Sequence, residues 1–318
     1  MQRPRLVISL DFELHWGVRD HTSVEQYRDN LLGVREAIPV MLSLFARKGI
    51  AATWATVGFL FAETKEQLEA HFPSELPTYD EPALSPYAAM SEVGDNEVSD
   101  PFHFGASLIR QITETQRQEL ATHTFSHYYC LAPGQRVEQF EADLRAAAAI
   151  AKTVTDEPLR SIVFPRNQFA DEHLGVVERL HYEAYRGNPA HWAYVPAERE
   201  TSRRRLFRLV DSYLPLARPR PSVCSTSQLS NIGATNFLRP YTKRLRRLEP
   251  IRRRRLVESM TSAARSGETF HLWWHPHNFG KNLRENIALL DSLLDHFTEL
   301  RRRYGMESST MAEAASSR

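Results

Sequence analysis

The chain has 318 residues, of which 42% are hydrophobic and 25% are charged, a composition typical of a globular domain. Lys plus Arg (40) nearly equals Asp plus Glu (39), so the overall charge does not favour nucleic acid as a partner. Only two cysteines occur, which excludes a disulfide framework; with no secretory signal or apolar stretch of about 20 residues, we expect a cytoplasmic protein.

Short apolar segments alternate with longer amphipathic ones, the pattern of strands and helices around a mainly parallel sheet. The predicted strands are residues 6–11, 52–57, 119–123, 161–165, 184–187, 206–214 and 269–275. Apolar residues recur at helical spacing over residues 24–47, with Gly49 as the stop, and again over 140–153 and 286–304. These elements predict one α/β domain over residues 1–307.

Three stretches depart from this alternation. Residues 72–104 contain five prolines among many acidic and small residues, which predicts a long insertion or lid with little regular structure. Residues 239–260 are rich in arginine, and their pattern indicates a helix. Residues 308–318 are small and polar, which predicts a frayed tail.

The first polar group is Asp11, Glu13 and His15, where the first predicted strand ends. Side chains two residues apart on a strand share a face, and α/β barrels assemble active sites where their strands end. Ordinary surface charges would produce the same spacing, so this pattern alone does not distinguish an active site from a charged surface.

His123 and His127 directly follow another predicted strand and are four residues apart. On a helical turn the two imidazoles would lie on one side and could bind one ion, with Thr124 or Ser126 capping the turn. Two imidazoles and one carboxylate leave a fourth position for water, as in hydrolytic zinc sites. A chance pair of surface histidines is the alternative.

Two later segments carry further candidate groups. Arg166, in Phe-Pro-Arg-Asn-Gln, could hold a nearby carboxylate ionised, although a surface arginine beside a turn is the simpler interpretation of that segment alone. The segment His-Leu-Trp-Trp-His-Pro-His-Asn (271–278) places three histidines and two tryptophans together. It favours a general acid and a flat surface for a sugar ring, although a core strand with hydrogen-bonded histidines is also open.

In this order the four segments resemble the polysaccharide deacetylase superfamily (carbohydrate esterase family 4) over about residues 6–280. The family motif Thr-Phe-Asp-Asp corresponds to Ser-Leu-Asp-Phe (9–12), with Phe12 in place of the second Asp. The motif His-Ser/Thr-x-x-His is matched fully by residues 123–127. Variants around these motifs resemble a bacterial subgroup associated with surface-polysaccharide biosynthesis.

The resemblance implies a distorted (β/α)7-type barrel and a metal-dependent hydrolase that removes an N-acetyl group from an amino sugar. It implies Asp11 as the base and His123 and His127 as ligands of a divalent metal, for which zinc is the first choice. Some family members carry their metal carboxylate two residues after the base, which is the position of Glu13. Strand geometry supports Glu13 as the third ligand, because it shares a face with Asp11.

The resemblance also assigns the proton-transfer groups. Arg166 is expected to orient the base and His275 to act as the acid, with His277 as the alternative, and Asp211 is expected to tune His275. The predicted substrate-binding residues are Trp273, Trp274, His277 and Asn167.

The expected substrate is an N-acetylated sugar. The Arg-rich segments would suit a diphosphate-linked sugar or peripheral contact with an anionic membrane, unless they are only solvated surface. The alternatives are another amide or ureide hydrolase of the same fold, or a non-catalytic glycan-binding module. Nucleic acid is not an expected partner, because the arginine clusters lack interleaved aromatic residues.

Overall fold

The computed structural model describes residues 3–189, 191–195, 201–214 and 229–316. Its strands are β1 (Arg5–Phe12), β2 (Ala52–Thr56), β3 (Gln118–Thr122), β4 (Ser161–Ile162), β5 (Ala184–Tyr185), β6 (Ser230–Asn231), β7 (Asn236–Phe237), β8 (Thr269–Trp274) and β9 (Glu307–Ser309). Its α-helices are α1 (Val24–Lys48), α2 (Lys65–Ala70), α3 (Ala106–Glu114), α4 (Val137–Ala151), α5 (Asp171–Arg179), α6 (Ser202–Asp211), α7 (Glu249–Ser266), α8 (Leu283–Tyr304) and α9 (Met311–Ser316). Short 3-10 helices cover Leu14–Gly17, Gly58–Phe61, Pro82–Leu84, Pro86–Glu92, Pro165–Asn167, Lys243–Leu248 and Pro276–Phe279.

The strands curl into a distorted (β/α)7-type barrel, which confirms the predicted fold class. Their order is β6-β5-β4-β3-β2-β1-β8-β7, and β9 adds to the side of β1. Every pairing between described strands is parallel. β6 pairs with β5 and β7 pairs with β8, although both belong to one short segment, residues 230–237. That segment brings the two ends of the series together, so it serves as a single barrel strand.

Alternation along β1 separates the inside of the barrel from the outside. Leu6, Ile8 and Leu10 join the large apolar core that includes residues of α1, α7 and α8. The intervening Val7 belongs to a second cluster of mostly small residues, with Ala55, Ala121, Val163, Ala184, Ile232, Met311 and Ala314. The inside of the barrel is therefore narrow, and Asp11 continues the inward series of β1.

The predicted frayed tail is wrong for residues 308–316. β9 pairs with the start of β1, and Met311 of α9 is fully buried among the small residues inside the barrel. Small side chains at Ala312 and Ala314 allow α9 to enter this narrow space. Small residues therefore indicate close packing here, and residues 317–318 lie outside the described part of the chain.

The predicted strand over residues 206–214 is also wrong, because these residues form the last part of α6 and the turn after it. Thr201 caps this helix, accepting a hydrogen bond from the Arg204 N–H over 3.3 Å. The other predicted strands correspond to β1–β5 and β8, and the predicted helices to α1, α4, α7 and α8. Gly49 ends α1 in the left-handed conformation, with φ of 63°.

Residues 72–104 contain two 3-10 helices and no longer regular element among the described residues, as their prolines predict. Tyr79, Met90 and Val93 are nevertheless buried, so the segment packs onto the barrel. No described helix has the length and apolar composition required to cross a bilayer.

Candidate active site

Asp11 and Glu13 lie together at the carboxyl end of β1, as the strand spacing predicts. Both side chains are buried, with 2% and 4% of their surface exposed. The chain then turns back through the 3-10 helix Leu14–Gly17, which brings Gly17 against the Glu13 carboxylate. A Cβ at position 17 would lie 1.9 Å from Glu13 Cδ. Glycine at this position therefore leaves the space that the carboxylate occupies.

His15 does not join the two carboxylates. Its Nδ1 lies 2.9 Å from His103 Nε2, and its Nε2 donates to the Thr22 carbonyl over 2.9 Å. His103 in turn lies 2.8 Å from Asp100. His15 therefore ties the end of β1 to the end of the 72–104 segment.

His123 and His127 follow β3 and reach the same point, but through a loop and not the predicted helical turn. Thr124 and His127 adopt left-handed backbone conformations, with φ of 63° and 57°, which a helix does not allow. The Thr124 hydroxyl accepts a hydrogen bond from the Tyr128 N–H over 2.7 Å, which helps to hold the loop. The ring centroids of the two histidines are 5.1 Å apart.

Asp143 of α4 holds this loop through hydrogen bonds. The fully buried carboxylate accepts the N–H of Phe125 at 2.6 Å, the N–H of Ser126 at 3.2 Å, and the Ser126 hydroxyl. Burial raises the pKa of Asp143 to about 7, and these hydrogen bonds oppose that rise. Sequence reasoning missed Asp143, although an acid on the buried face of an alanine-rich helix was a signal for it.

Glu13, His123 and His127 form a cluster that fits one metal ion. Glu13 Oε2 lies 3.3 Å from His123 Nε2 and 3.2 Å from His127 Nε2. Two ligands that are each about 2.0–2.1 Å from a tetrahedral zinc ion are separated by about 3.3 Å. One atom from each of the three residues can be chosen so that all lie within 4.8 Å of one another.

The orientation of the two imidazoles favours the same interpretation. His123 Nδ1 donates to the Val163 carbonyl over 2.8 Å, so Nε2 is the ring nitrogen that faces Glu13. Burial lowers the pKa of His127 to about 4, so that ring is neutral at neutral pH. Two Nε2 atoms that converge on one buried carboxylate can each bind a cation once they have released their protons, so the residues present fit a divalent metal.

The arginine beside Asp11 is Arg186, not the predicted Arg166. Arg186 follows β5 and is fully buried, and its Nη1 and Nη2 donate to the two Asp11 carboxylate oxygens over 2.6 and 2.7 Å. Its other hydrogen bonds go to Ser9 Oγ and Asn167 Oδ1, so all five of its N–H donors are used.

Arg166 occupies the rim of the site. Its guanidinium pairs with Asp20 and lies 4.0 Å from the centroid of the Tyr129 ring. The left-handed backbone of Arg166, with φ of 55°, turns the side chain away from Asp11. A left-handed residue directly after a strand-end proline was not predictable from the sequence, so adjacency in the chain misled the assignment.

Charged neighbours offset the burial of both carboxylates. Burial raises the pKa of Asp11, but Arg186 and His123 lower it by more than burial raises it. The pKa of Asp11 therefore lies below its usual value. Burial also raises the pKa of Glu13, and His275, His123 and His127 lower it well below its usual range. Both groups are therefore ionised at neutral pH.

His275 lies at the end of β8, where its sequence position predicts it. Its Nε2 is 3.7 Å from Asp11 Oδ2 and 3.6 Å from Glu13 Oε1. Its Nδ1 is 3.3 Å from the amide nitrogen of Asn278, whose oxygen accepts the Tyr27 hydroxyl at 3.2 Å. Burial raises the pKa of Tyr27, so its hydroxyl keeps the proton that it donates. The Tyr27–Asn278 pair therefore orients His275 with its Nε2–H toward the carboxylates.

Asp211, predicted to tune His275, lies elsewhere. It is the last residue of α6 and accepts hydrogen bonds from Tyr194 at 2.8 Å and Arg255 at 2.9 Å. The assignment was wrong because it assumed that residues 206–214 form a barrel strand. The carboxylates closest to His275 are Asp11 and Glu13.

The four predicted substrate-binding residues have different environments. Trp273 is half-buried, and its ring lies 4.2 Å from the Arg186 guanidinium. Trp274 is fully buried against Phe45 and Phe279, so its assignment was wrong: consecutive strand residues point to opposite faces.

Asn167 and His277 lie in the site wall. Asn167 Oδ1 accepts two hydrogen bonds from Arg186, at 2.8 and 3.2 Å, so it positions that guanidinium. His277 is buried, with Nδ1 3.9 Å from Glu13 Oε1, and its ring stacks on His275 at 5.1 Å. Contact of either residue with substrate stays a prediction.

His271, on the same strand, is a core histidine. Its Nδ1 donates to the Ile232 carbonyl over 2.9 Å, and its Nε2 accepts the Ser9 hydroxyl at 2.8 Å. Burial lowers the pKa of His271 to about 3, so it stays neutral. The strand therefore combines one structural histidine with a second, His275, that faces the site.

No known protein family and no curated protein matches the sequence, but solved structures match its fold. A candidate polysaccharide deacetylase from Mycobacterium smegmatis matches with 10% identity and a TM-score of 0.57, over 99% of this chain and 90% of that one. A second candidate, from Pseudomonas aeruginosa PAO1, has 11% identity and a TM-score of 0.58, over 98% and 90% of the two chains.

A GH57-type branching enzyme from Pyrococcus horikoshii also matches, with 14% identity and a TM-score of 0.52, over 97% of this chain and 69% of that one. The chain shares its fold with both kinds of protein. Because one fold can carry different reactions, the residues of the site decide the reaction.

Proposed function

We propose that this protein is a metal-dependent hydrolase that removes an N-acetyl group from an amino sugar during surface-polysaccharide synthesis. The observation that carries the proposal is the Glu13–His123–His127 cluster, with Asp11 and His275 directly beside it. The two structural neighbours described as candidate deacetylases support the substrate class.

The ligand set of one carboxylate and two imidazoles favours zinc. A divalent ion held by these three residues would polarise an acetamide carbonyl and lower the pKa of a water molecule. Zinc as the metal and an N-acetylated sugar as the substrate are both part of the proposal.

Asp11 is suited to accept a proton from the attacking water. Its pKa is lowered by Arg186, which keeps the carboxylate ionised, and the paired guanidinium fixes its position. Each carboxylate oxygen retains a second lone pair after Arg186 has bonded. Asp11 is therefore a base that is held in position by Arg186 and can still accept a proton.

His275 is suited to give a proton to the departing amine. Asn278 contacts its Nδ1 from outside, so Nε2 is the nitrogen that faces the site. In the imidazolium form, transfer of the Nε2 proton to the sugar nitrogen as the C–N bond breaks leaves the neutral ring and yields acetate and a free amino sugar.

The test combines metal analysis of the purified protein with acetate release from N-acetylated sugar nucleotides and lipid-linked sugars. We expect about one divalent ion per chain, lost in His123→Ala/His127→Ala and retained in Asp11→Asn. Acetate release should be abolished by both changes. The double variant His71→Ala/His181→Ala removes two imidazoles outside the cluster and should retain metal and activity.

Two results would contradict the proposal. A His123→Ala/His127→Ala protein that keeps its ion would remove the metal site. Ammonia in place of acetate, released from amides or ureides, would leave the fold and the site but change the reaction to that of the alternative hydrolase.

A further inference from the structure

Basic residues are concentrated in two segments, 201–211 and 239–255. Together they contain thirteen Lys and Arg residues against two acids, Asp211 and Glu249. The whole chain has 40 basic and 39 acidic residues, so the remainder carries 27 basic and 37 acidic residues. A near-neutral molecule therefore has one strongly positive part.

Exposed apolar side chains occur in the same part of the molecule. Eight large hydrophobic residues are exposed in the described part of the chain, and six lie in or beside the two basic segments. Their exposed fractions range from 37% to 61%, and they are Trp192, Val195, Leu206, Leu214, Leu248 and Ile251. We call these six residues, with the two segments, the basic-apolar face.

Direct contacts join the two segments. Arg255 of α7 donates to Asp211 at the end of α6 over 2.9 Å. Arg204 donates to the Trp192 carbonyl over 2.7 Å, and Phe207 stacks on His191 at 4.9 Å, so the 191–195 turn is fixed to α6. Asp211 is the only buried residue of α6. This amphipathic helix therefore lies on the surface.

The basic-apolar face is beside the mouth of the site. In the chain, α6 comes after β5, whose carboxyl end directly precedes Arg186. The residues that lead to α7 come after the carboxyl end of β7, where the Phe237 and Trp273 rings are 4.6 Å apart. In a parallel barrel, segments that follow strand ends lie on the active-site side.

We infer that the basic-apolar face docks the protein on an anionic lipid bilayer, with the site mouth next to the membrane surface. Lysine and arginine near a negatively charged leaflet are attracted to it, and apolar side chains of an interfacial helix insert at the headgroup boundary. A nucleic acid would use the charges alone and leave Leu206 and Ile251 in water. The combination of charge and exposed apolar surface therefore favours lipid.

This placement, which rests on the proposed function for its purpose, specifies the substrate class. A sugar carried by a membrane-anchored lipid diphosphate would present its N-acetyl group at the bilayer surface. A docked enzyme would meet that substrate in the plane of the membrane, without extracting it.

Co-sedimentation of the full chain with vesicles tests the docking. We expect binding to mixed phosphatidylcholine–phosphatidylglycerol vesicles, little binding to phosphatidylcholine alone, and a decrease as salt is raised. Leu206→Ser/Ile251→Ser should lower the vesicle partition coefficient about tenfold, without a change in thermal unfolding because both side chains are exposed. Brominated lipid should quench Trp192, the one exposed tryptophan among the described residues, and Trp192→Phe should abolish this quenching.

A charge-matched pair separates the face from general charge. Arg246→Ser/Arg247→Ser removes two exposed arginines from the face. Arg302→Ser/Arg303→Ser removes two exposed arginines at the end of α8, which lies at the amino end of the barrel, because β9 directly after it pairs with the start of β1. We expect the first pair to weaken vesicle binding about tenfold and the second to leave it nearly unchanged.

Three results would overturn the inference: no binding to anionic vesicles, equal losses from both arginine pairs, or full binding by Leu206→Ser/Ile251→Ser. The last would indicate a polyanion site, which heparin binding would also reveal. Vesicle binding without acetate release from any substrate would leave the docking in place and remove the proposed function.

Discussion

Arg186 in the floor of the site is buried, with all five N–H donors bonded to Ser9, Asp11 and Asn167. Arg246 and Arg247 on the basic-apolar face are exposed. The same type of side chain is fixed by five hydrogen bonds in one region and exposed to solvent in the other. Position matters for a group that orients a base, whereas total charge matters for a surface that meets a fluid bilayer.

Buried and exposed arginines differ in the free energy that their removal costs. Removing one partner of a buried ion pair leaves the other charge uncompensated in a medium that solvates it poorly. Removing an exposed arginine returns its neighbours to water at little cost. We therefore expect the effects of substitution to fall from the floor of the site through its supporting residues to the rim.

Arg186→Ala should have the largest effect. It leaves Asp11 buried without its guanidinium, so the free energy of unfolding should fall by about 3–5 kcal/mol. Loss of the oriented base should lower kcat/KM for acetate release about 10²–10³-fold. Urea denaturation and steady-state kinetics measure the two quantities.

Arg186→Lys is the matched control for charge. A lysine ammonium cannot bond both Asp11 oxygens in the fork geometry of a guanidinium, so activity should recover only in part. Activity within about twofold of wild type for Arg186→Ala would contradict the role of the pair.

Asp143→Ala should come next, because it acts on the metal ligands through the loop that carries them. Without its three hydrogen bonds the 123–127 loop loses its anchor, and the affinity for metal should fall about 10–100-fold. Competition with a chelator measures this affinity. Glu141→Ala, on the same helix but paired with exposed arginines, should leave it unchanged.

Asp143 also predicts a pH dependence of stability. Burial raises its pKa from 3.8 to about 7, so between about pH 4 and pH 7 the folded chain holds a proton that the unfolded chain has lost. The stability from this group is present at the acid end and is lost as the pH rises through 7. Asp143→Asn should therefore lose less free energy of unfolding than wild type across this range. A wild-type curve parallel to that of the variant would contradict the raised pKa.

The parts of the site that depend on residues close together in the chain were predicted correctly. The period of two along β1 placed Asp11 beside Glu13, and the four-residue spacing brought His123 to His127 even though the turn is not helical. The barrel itself followed from the alternation of strands and helices, and from the family resemblance. β6 and β7 were missed because two residues are too few to show a period.

Contacts between distant segments were beyond such patterns. Arg186 lies 175 residues from Asp11 in the chain, and only the pairing of the barrel strands brings them together. The error at Asp211 came from residues 206–214, where closely spaced apolar residues fit a strand or a helix. The error at 308–316 came from small residues, which suit an exposed tail and a narrow barrel interior equally well.

Tyr27→Phe should have a moderate effect, because Tyr27 acts on His275 only through Asn278. Loss of one neutral hydrogen bond changes the barrier by an amount that corresponds to about 2–10-fold in kcat, with KM little changed. In a His275→Ala background, Tyr27→Phe should have no further effect on kcat, whereas a purely structural defect would still lower it. Tyr304→Phe, at the far end of α8, should behave as wild type.

Arg166→Ala should have the smallest effect, and it decides between the arginine that the sequence indicates and the one that the structure places on Asp11. Arg166 pairs with Asp20 at the rim and is partly exposed, so its removal should cost about 0–1 kcal/mol of stability. Asp11 keeps both of its hydrogen bonds to Arg186 in this variant, so kcat should stay within about twofold of wild type. Asp20→Asn, which removes the partner and keeps the arginine, is the matched control. A loss of kcat as large as that of Arg186→Ala would return the orienting role to Arg166 and require the two loops to rearrange when substrate binds.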